Sequence, residues 1–379
     1  MSRMRRTTAW AAAIASAALF SVGAADGAAK EKPVPKIQIA ILLDTSSSMD
    51  GLIEQAKTRL WQIVNEFATA KREGVRPVLE VALYEYGNTG LDQRKGWIRQ
   101  VSPLTDDLDR ISEVLFALRT QGGDEYCGQV IREAARDLAW SASKDDLRTI
   151  YIAGNEPFTQ GPVDYHVACK EAIDKGITVN TIHCGGESQG VAGGWRDGAT
   201  IADGAFACID HNRKIEIVAA PQDKEIAALN DALNRTYVPF GANGAEGQAR
   251  QYEQDRNAAV NGSGVFGSRA ASKVSAQYRN GSWDLVDAVA QGNVKVEEVK
   301  AEALPAEMQA MTPEQRKAHV ESKNAERGRI QEQVKKLAAE RDAFVAAEMK
   351  KRGEPGANVL DKAVTESLRK QAEAKSFKF

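Results

Sequence analysis

A short segment rich in carboxyl and hydroxyl side chains offers the clearest chemistry in the sequence. Asp44, Ser46 and Ser48 alternate along it, directly after an apolar run that ends at Leu43. One loop can therefore aim three oxygen atoms at a single point. Oxygen ligands of this kind suit a hard divalent cation such as Mg²⁺ or Ca²⁺. The alternative is a Ser-rich turn that caps a helix without metal, because Ser and Asp are ordinary N-cap residues.

The elements around this segment predict where it lies in the fold. The apolar run at 37–43 has the length of a strand buried on both faces, and apolar residues then recur at helical spacing from Leu52 to Phe67. Further strands are predicted at 78–86, 97–101, 147–153, 177–183, 205–209 and 214–218. Helices separate most of them, which predicts a doubly wound α/β fold with a mostly parallel sheet. In such a sheet, ligands bind at the carboxyl ends of the central strands.

The pattern Asp44-x-Ser46-x-Ser48 after an apolar strand resembles the first motif of the von Willebrand factor type A (VWA) domain, at its metal-ion-dependent adhesion site (MIDAS). The resemblance covers roughly residues 36–240 and implies a Rossmann-like VWA fold. It also implies that a loop before a later helix supplies the second part of the site. Gly122, Gly123 and Asp124 stand there, and Asp124 is preferred to Thr120 as the ligand.

The resemblance implies a third contribution from the end of the strand at 147–153. The family usually carries Thr-Asp-Gly there, and its Asp anchors the metal. This sequence has Asn155 and Glu156 instead, and either side chain offers an oxygen. A neutral amide weakens a site that relies on charge, so binding of Mg²⁺, or of Ca²⁺ or Mn²⁺, is expected to be weak. In the family an acidic group of a protein partner completes the coordination.

The N-terminus predicts export. Three arginines precede an apolar stretch at 9–22, and small residues follow, so residues 1–25 read as a secretory signal peptide cleaved after Ala24 or Ala25. Residues 26–35 are polar and form a linker. No later segment is long and apolar enough to cross a membrane. The mature protein is therefore expected to be periplasmic or secreted, as an exported bacterial protein.

The cysteines allow two interpretations. Cys127, Cys169, Cys184 and Cys208 are an even number, which favours disulfides in an exported protein. Three pairings are possible, and we favour Cys184 with Cys208 and Cys127 with Cys169. Zinc is the alternative, held by His183, Cys184, Cys208 and His211. Adjacent residues of a strand point to opposite faces, which argues against His183 and Cys184 binding one ion.

Residues 241–379 predict a helical C-terminal region rich in Ala, Glu, Gln, Lys and Arg. Thr312, Pro313 and Gln315 form a strong helix start, and this helix could run to Lys351. An apolar stripe at 330–349 resembles a coiled-coil seam, which would allow self-association through 313–351. The alternative is an antiparallel helical hairpin that packs on the protein's own body. A last helix is predicted over 359–375.

Composition and motifs argue against two classes of function, nucleic-acid binding and catalysis. The 379 residues carry a formal charge of −2, so nothing indicates a nucleic-acid-binding protein. The sequence has no nucleophile elbow, zinc-protease helix or phosphate-binding loop, so no enzyme is expected. The first hypothesis is an exported module that uses a divalent cation to bind an acidic group on a protein partner. The alternative is a metal-independent structural or assembly protein of the cell envelope that acts through its helical arm.

Overall fold

A computed structural model describes residues 34–212, 217–352 and 359–379 of the chain. The predicted signal peptide at 1–25, most of the linker at 26–35 and most of the predicted strand at 214–218 lie outside the described residues. Residues 34–379 form one compact unit, so the boundary predicted at residue 240 separates two parts of one body. Within the described ranges, no helix combines the length and apolar character that a membrane span requires.

A six-stranded sheet forms the centre of the protein. Its strands are β1 (Lys36–Asp44), β2 (Val78–Tyr86), β3 (Ile98–Thr105), β4 (Leu147–Gly154), β5 (Thr178–Cys184) and β6 (Phe206–Ile209). Their spatial order is β3-β2-β1-β4-β5-β6, and every neighbouring pair is parallel except β2 and β3. This confirms the predicted doubly wound, mostly parallel sheet. Because the strand order reverses between β1 and β4, their carboxyl ends border the crevice where such sheets bind ligands.

Helices follow most of the strands, and more of them fill the C-terminal region. They are α1 (Asp50–Glu66), α2 (Leu108–Ala117), α3 (Cys127–Asp137), α4 (Tyr165–Asp174), α5 (Glu187–Ala192), α6 (Trp195–Ile201), α7 (Asp223–Asn234), α8 (Gly244–Val260), α9 (Ser263–Lys273), α10 (Leu285–Ala290), α11 (Ala306–Gln309), α12 (Pro313–Lys351) and α13 (Val359–Ala374). The start predicted for α12 is confirmed: the Thr312 hydroxyl accepts from the Gln315 N–H at 3.3 Å, and the Gln315 side chain accepts from the Thr312 N–H at 2.9 Å.

The glycine-dense segment at 184–204 contains α5 and α6. These helices have six and seven residues, which is too short for apolar periodicity to show. Gly194 precedes α6 with a φ of 88°, a left-handed conformation that favours glycine. The two helices place Trp195 beside the carboxyl end of β5.

Two apolar cores cover the two faces of the sheet. Along β1, Ile37, Ile39 and Leu43 belong to one core, and Ala40 and Leu42 belong to the other. Helices α1, α2 and α13 cover the first face, whereas α3, α4 and α6 cover the second. The last helix of the chain therefore completes a layer of the α/β domain.

An outer layer of helices packs on the first face. Helix α9 packs on α1, α8 packs on α2, and α12 packs on α7, α9 and α10. Ile330 and Val334 of α12 are buried in a core that they share with residues of α7 and α9. The first part of the stripe that resembles a coiled-coil seam is therefore covered by the same chain, as the alternative interpretation expects, whereas Phe344, Val345 and Met349 are half-buried and belong to none of the cores. It forms no hairpin with α13, because α13 packs on the sheet.

Candidate metal centre

The oxygen-bearing residues meet at the carboxyl edge of the sheet. Asp44 is the last residue of β1, and Leu43 lies beside Ala153 of the neighbouring β4. Ser46 and Ser48 follow in the short turn that leads into α1, and Asn155 follows β4. The first turn of the loop is fixed by the Ser46 N–H, which donates to Asp44 Oδ1 at 2.7 Å.

Three side chains form a connected row in front of Asp44. The hydroxyls of Ser46 and Ser48 lie 3.1 Å apart. Asn155 Nδ2 donates to Ser48 Oγ at 3.2 Å. Asn155 Oδ1 is buried and has no hydrogen-bond donor among the described residues. The structure thus brings Asp44, Ser46, Ser48 and Asn155 together, as the sequence predicts.

Asp44 is a buried carboxylate that the protein leaves incompletely satisfied. Its side chain is inaccessible to solvent, and Oδ2 makes no hydrogen bond in the described part of the chain, although the backbone N–H of Asn155 is near enough to favour the charged carboxylate. Burial raises the pKa of Asp44 to about 7. Gly154 permits the close packing here, because a Cβ at this position would lie 3.1 Å from Asp44 Oδ2 and 2.5 Å from the Tyr86 hydroxyl. Tyr86 itself donates to the Ala153 carbonyl at 3.0 Å.

The second carboxylate of the site is Glu125, which the sequence interpretation missed. Asp124 is exposed, whereas Glu125 is buried next to Asp44. Burial, followed by the negative charge of Asp44, raises the pKa of Glu125 to about 8, although a hydrogen bond with Ser46 opposes this shift. Gly87 makes room for both acids, because its Cβ would lie 2.8 Å from Glu125 Cγ and 2.9 Å from Asp44 Oδ1.

Asp124 is exposed and makes no hydrogen bond with the other proposed ligands among the described residues. Its negative charge contributes to the raised pKa of Glu125, so Asp124 remains a candidate beside Glu125. The Thr120 hydroxyl donates to the Asp50 carboxylate. The Gln121 N–H donates to the Thr45 carbonyl at 2.9 Å, which holds this loop against the end of β1.

The donor set fits a hard divalent cation. Two carboxylates and two hydroxyls lie together, Asn155 borders them through its amide nitrogen, and no ion pair to Asp44 or Glu125 occurs among the described residues. Two facing carboxylates in a buried site repel each other unless a cation or a proton compensates them. Oxygen donors of these types are the ligands of Mg²⁺, Ca²⁺ and Mn²⁺.

The disulfide prediction is not supported, because all four cysteines are free thiols in the structure. In the sheet register Cys208 lies beside His183, and Cys184 lies beside Ile209, so the two cysteines are offset by one residue. Cys127 contacts the Tyr86 hydroxyl at 3.8 Å, whereas Cys169 faces α6. Neither favoured pair is therefore oriented for a bond.

The zinc alternative gains no support either. No group of three or more His, Cys, Asp and Glu side chains is arranged to hold a metal within the described ranges. Cys184 belongs to the core on the α1 side of the sheet, whereas the His183 ring lies 5.6 Å from the Trp195 ring on the other side. Burial lowers the pKa of His183, which favours its neutral form.

Comparison with known proteins gives one family match. Residues 38–192 match the family model of the von Willebrand factor type A domain. No curated protein matches the chain.

Several solved structures are similar to the chain over about half of its length. BatB from Bacteroides thetaiotaomicron is 17% identical, with 46% of this chain and 90% of that chain covered and a TM-score of 0.35. The SpRpn10 VWA domain is 16% identical, with 48% and 100% covered and a TM-score of 0.36. Proximal thread matrix protein 1 from the mussel byssus, with a zinc-occupied MIDAS motif, is 11% identical, with 46% and 42% covered and a TM-score of 0.34.

Proposed function

Because residues 38–192 match the family model of the von Willebrand factor type A domain, we propose that this protein is a binding module that holds a protein partner through a divalent cation. The partner contributes an exposed Asp or Glu side chain to the cation. VWA domains commonly mediate protein–protein interactions through a MIDAS. Asp44, Ser46, Ser48, Glu125 and Asn155 hold the cation in this proposal.

The observation that supports the proposal best is the environment of Asp44. Its Oδ2 atom is buried and makes no hydrogen bond within the described residues, and Glu125 lies beside it. Such an arrangement is unfavourable for the protein alone, because a buried charge without a partner destabilises the folded state. A bound cation supplies the missing positive charge and an open position for a carboxylate from outside.

Each of the remaining residues has a distinct role in this proposal. Ser46 and Ser48 present their hydroxyl oxygens in one row, and Asn155 orients Ser48 through its amide. The neutral amide of Asn155 makes the donor set less negative than one with three carboxylates. We therefore propose weak or moderate cation affinity, with Mg²⁺, Mn²⁺ or Ca²⁺ as the ion.

Two further proposals concern the class and location of the protein. We propose a binding role without catalysis, which is supported by the lack of known catalytic motifs in the sequence. We also propose export to the periplasm or the cell exterior, which is supported by the signal-peptide pattern at residues 1–25. N-terminal sequencing of the mature protein from cell fractions tests export, and a new terminus after Ala24 or Ala25 is expected.

Affinity capture tests the proposed function. Full-length mature protein is immobilised and exposed to an envelope extract of the source cells in Mg²⁺ or in EDTA, and retained proteins are identified by mass spectrometry. Proteins that are retained in Mg²⁺, released by EDTA and absent with Asp44→Asn support the proposal. An identical set of proteins under all three conditions contradicts it.

The alternative is a metal-independent assembly protein of the cell envelope. The amide of Asn155, in place of the usual Asp, favours this alternative. The burial of Ile330 and Val334 against α7 and α9 argues against assembly through the first part of the α12 stripe. Capture that neither EDTA nor Asp44→Asn changes would favour the alternative.

A further inference from the structure

A second pocket, of about 360 Å³, lies beside the candidate metal centre. We refer to it as the side pocket, and its lining includes Asn155, Glu156, His183, Gln189 and Trp195. Asn155 belongs to both sites, because its amide donates to Ser48 Oγ at 3.2 Å. A partner that reaches the metal centre with one side chain can therefore reach the side pocket with a neighbouring one.

Hydrogen bonds hold the walls of the side pocket in place. Trp195 Nε1 donates to the Glu156 carbonyl at 2.8 Å, and the Thr181 hydroxyl donates to the Trp195 carbonyl at 2.8 Å. The Phe158 N–H donates to the Gly193 carbonyl at 2.9 Å. These bonds connect the loop after β4 with β5 and with the segment between α5 and α6. The side pocket is thus preformed, which lowers the entropic cost of binding.

His183 is the unusual residue of the side pocket. It is 4% exposed, and neither of its ring nitrogens has a hydrogen-bond partner among the described residues. Two glycines make room for the ring: a Cβ at Gly190 would lie 2.8 Å from His183 Cδ2, and one at Gly185 would lie 2.8 Å from Nε2. Buried polar groups are normally paired, so the ring is available to a bound group.

The charge and the hydrogen-bonding atoms of the side pocket favour a cationic guest. Glu156 lines the side pocket and carries a carboxylate, whose Oε2 accepts from Gln160 Nε2 at 3.2 Å, and neutral His183 offers an acceptor nitrogen. No Lys or Arg lines the side pocket in the described part of the chain. Arg196, next to Trp195 in sequence, is paired with Glu187. Several acceptors and one negative charge complement the N–H donors of a lysine or arginine side chain.

We propose that the side pocket binds a lysine or arginine side chain of the partner, beside the acidic side chain at the metal centre. This inference rests on the proposed function, because the partner supplies both side chains. It specifies the partner further: an acidic residue and a basic residue are exposed next to each other on its surface.

Nuclear magnetic resonance with small probes tests the side pocket alone. Isotope-labelled mature protein in EDTA is titrated with N-acetyl-arginine amide, N-acetyl-lysine amide and the neutral isostere N-acetyl-citrulline amide. We expect at least one cationic probe to shift the His183 ring and Trp195 indole resonances saturably, with little effect from citrulline. Glu156→Gln should weaken this binding about tenfold, since it removes the anionic partner of a charge-assisted hydrogen bond. Glu225→Gln removes an exposed acid outside the lining and should preserve binding.

Two results would overturn the inference: no saturable shift with either cationic probe, or equal shifts with citrulline. Unchanged binding in Glu156→Gln would also contradict it, because the charge of the side pocket would then play no part. EDTA removes the cation from the metal centre, and unchanged probe binding in Asp44→Asn shows that the acids of that centre do not hold the probe. A failure here therefore leaves the metal-dependent function intact, and a failure of metal binding leaves this result interpretable.

Discussion

Asn155 Nδ2 donates a hydrogen bond to Ser48 Oγ across 3.2 Å, which joins the end of β4 to the loop after β1. This contact explains how the site remains ordered without the acid that VWA domains usually carry there. Asn155 occupies the end of β4 and presents a buried oxygen, but it brings no charge. In the proposed cation site, the affinity would therefore depend mainly on Asp44 and Glu125, with a further negative charge from nearby Glu156.

Restoring a carboxylate at position 155 should strengthen cation binding. We expect Asn155→Asp to bind Mg²⁺ or Mn²⁺ roughly tenfold more tightly, because the number of charged ligands sets affinity. Without metal, the same variant should melt at a lower temperature, because a third acid adds repulsion to Asp44 and Glu125. Calorimetry and thermal melts in EDTA measure both effects. Asn293→Asp adds the same charge at an exposed position and should change neither.

The choice between Glu125 and Asp124 can be tested with a matched pair of variants. Glu125→Gln should weaken cation binding at least tenfold, because it removes one of two buried carboxylates. Asp124→Asn removes an exposed acid from the next residue and should change affinity by less than about twofold. Equal losses in the two variants would show that the loop acts through its overall charge. A loss in Asp124→Asn alone would restore the assignment made from the sequence.

Stability in the absence of metal should decrease as the pH rises. The pKa of Asp44 is raised from 3.8 to about 7, and that of Glu125 from 4.5 to about 8. The folded state thus binds more protons than the unfolded state in this range, so its stabilisation is complete below about pH 4 and is lost through pH 7–8. Urea unfolding in EDTA measures the trend.

Cation binding should reverse this trend. We expect stabilisation by Mg²⁺ to be larger at pH 8.5 than at pH 5.5, because protons compete with the cation for Asp44 and Glu125. Asp44→Asn should flatten the pH dependence in EDTA and remove most of the stabilisation by Mg²⁺. A wild-type protein whose stability in EDTA is constant from pH 5 to pH 8.5 would be inconsistent with two buried acids.

The last helix should be required for folding of the α/β domain. Leu368 is inaccessible to solvent and lies in the core between α13 and the sheet. Leu368→Ala should lower the free energy of unfolding by about 2–5 kcal/mol, the usual cost of this truncation in a core. Lys370→Ala, at an exposed position of the same helix, should have little effect. Urea unfolding followed by circular dichroism measures both.

Deletion of residues 359–379 gives a stronger version of this test. The deletion uncovers one face of the sheet, so the shortened protein should aggregate or lose its cooperative transition. A stable, soluble fragment of residues 34–240 would show that the α/β domain is independent of the C-terminal region.

A buried charge cluster should fix the outer layer of helices. Asp255 of α8 accepts from Arg269 Nε at 2.8 Å and from Lys273 Nζ at 2.9 Å, and all three side chains are buried. Asp255→Asn leaves buried cations without full compensation and should cost about 3–5 kcal/mol of the free energy of unfolding. The exposed pair of Arg256 and Glu253 gives the control, because Glu253→Gln should leave stability nearly unchanged.

Long, regular patterns made much of the fold predictable from the sequence. The apolar run of β1 has the length of one strand and can be buried on both faces only in the centre of a sheet. Asp44 follows it directly. Asn155, Ser46 and Ser48 were predicted correctly as neighbours because the carboxyl ends of parallel strands meet at one edge. The start of α12 was predictable because capping depends on neighbours in sequence.

Other features depend on tertiary contacts that the sequence does not encode locally. The position of α13 on the sheet follows from an apolar face that could have packed on any exposed core. Glu125 was missed because the sequence does not show which of two adjacent acids, Asp124 or Glu125, lies beside Asp44. The disulfides were predicted from the even number of cysteines and the expected oxidising compartment. The sheet register, however, offsets Cys184 and Cys208 by one residue. Their separation could be found only from the strand alignment.

Calorimetric titration with Mg²⁺ and Mn²⁺ tests the central claim most directly. Mature wild-type protein and Asp44→Asn are compared at pH 8, and circular dichroism verifies that both are folded. The wild type should bind one cation saturably, and Asp44→Asn should show no binding. Absence of binding by folded wild-type protein, or equal binding by the two proteins, would contradict the proposal that this oxygen cluster is a metal-dependent adhesion site.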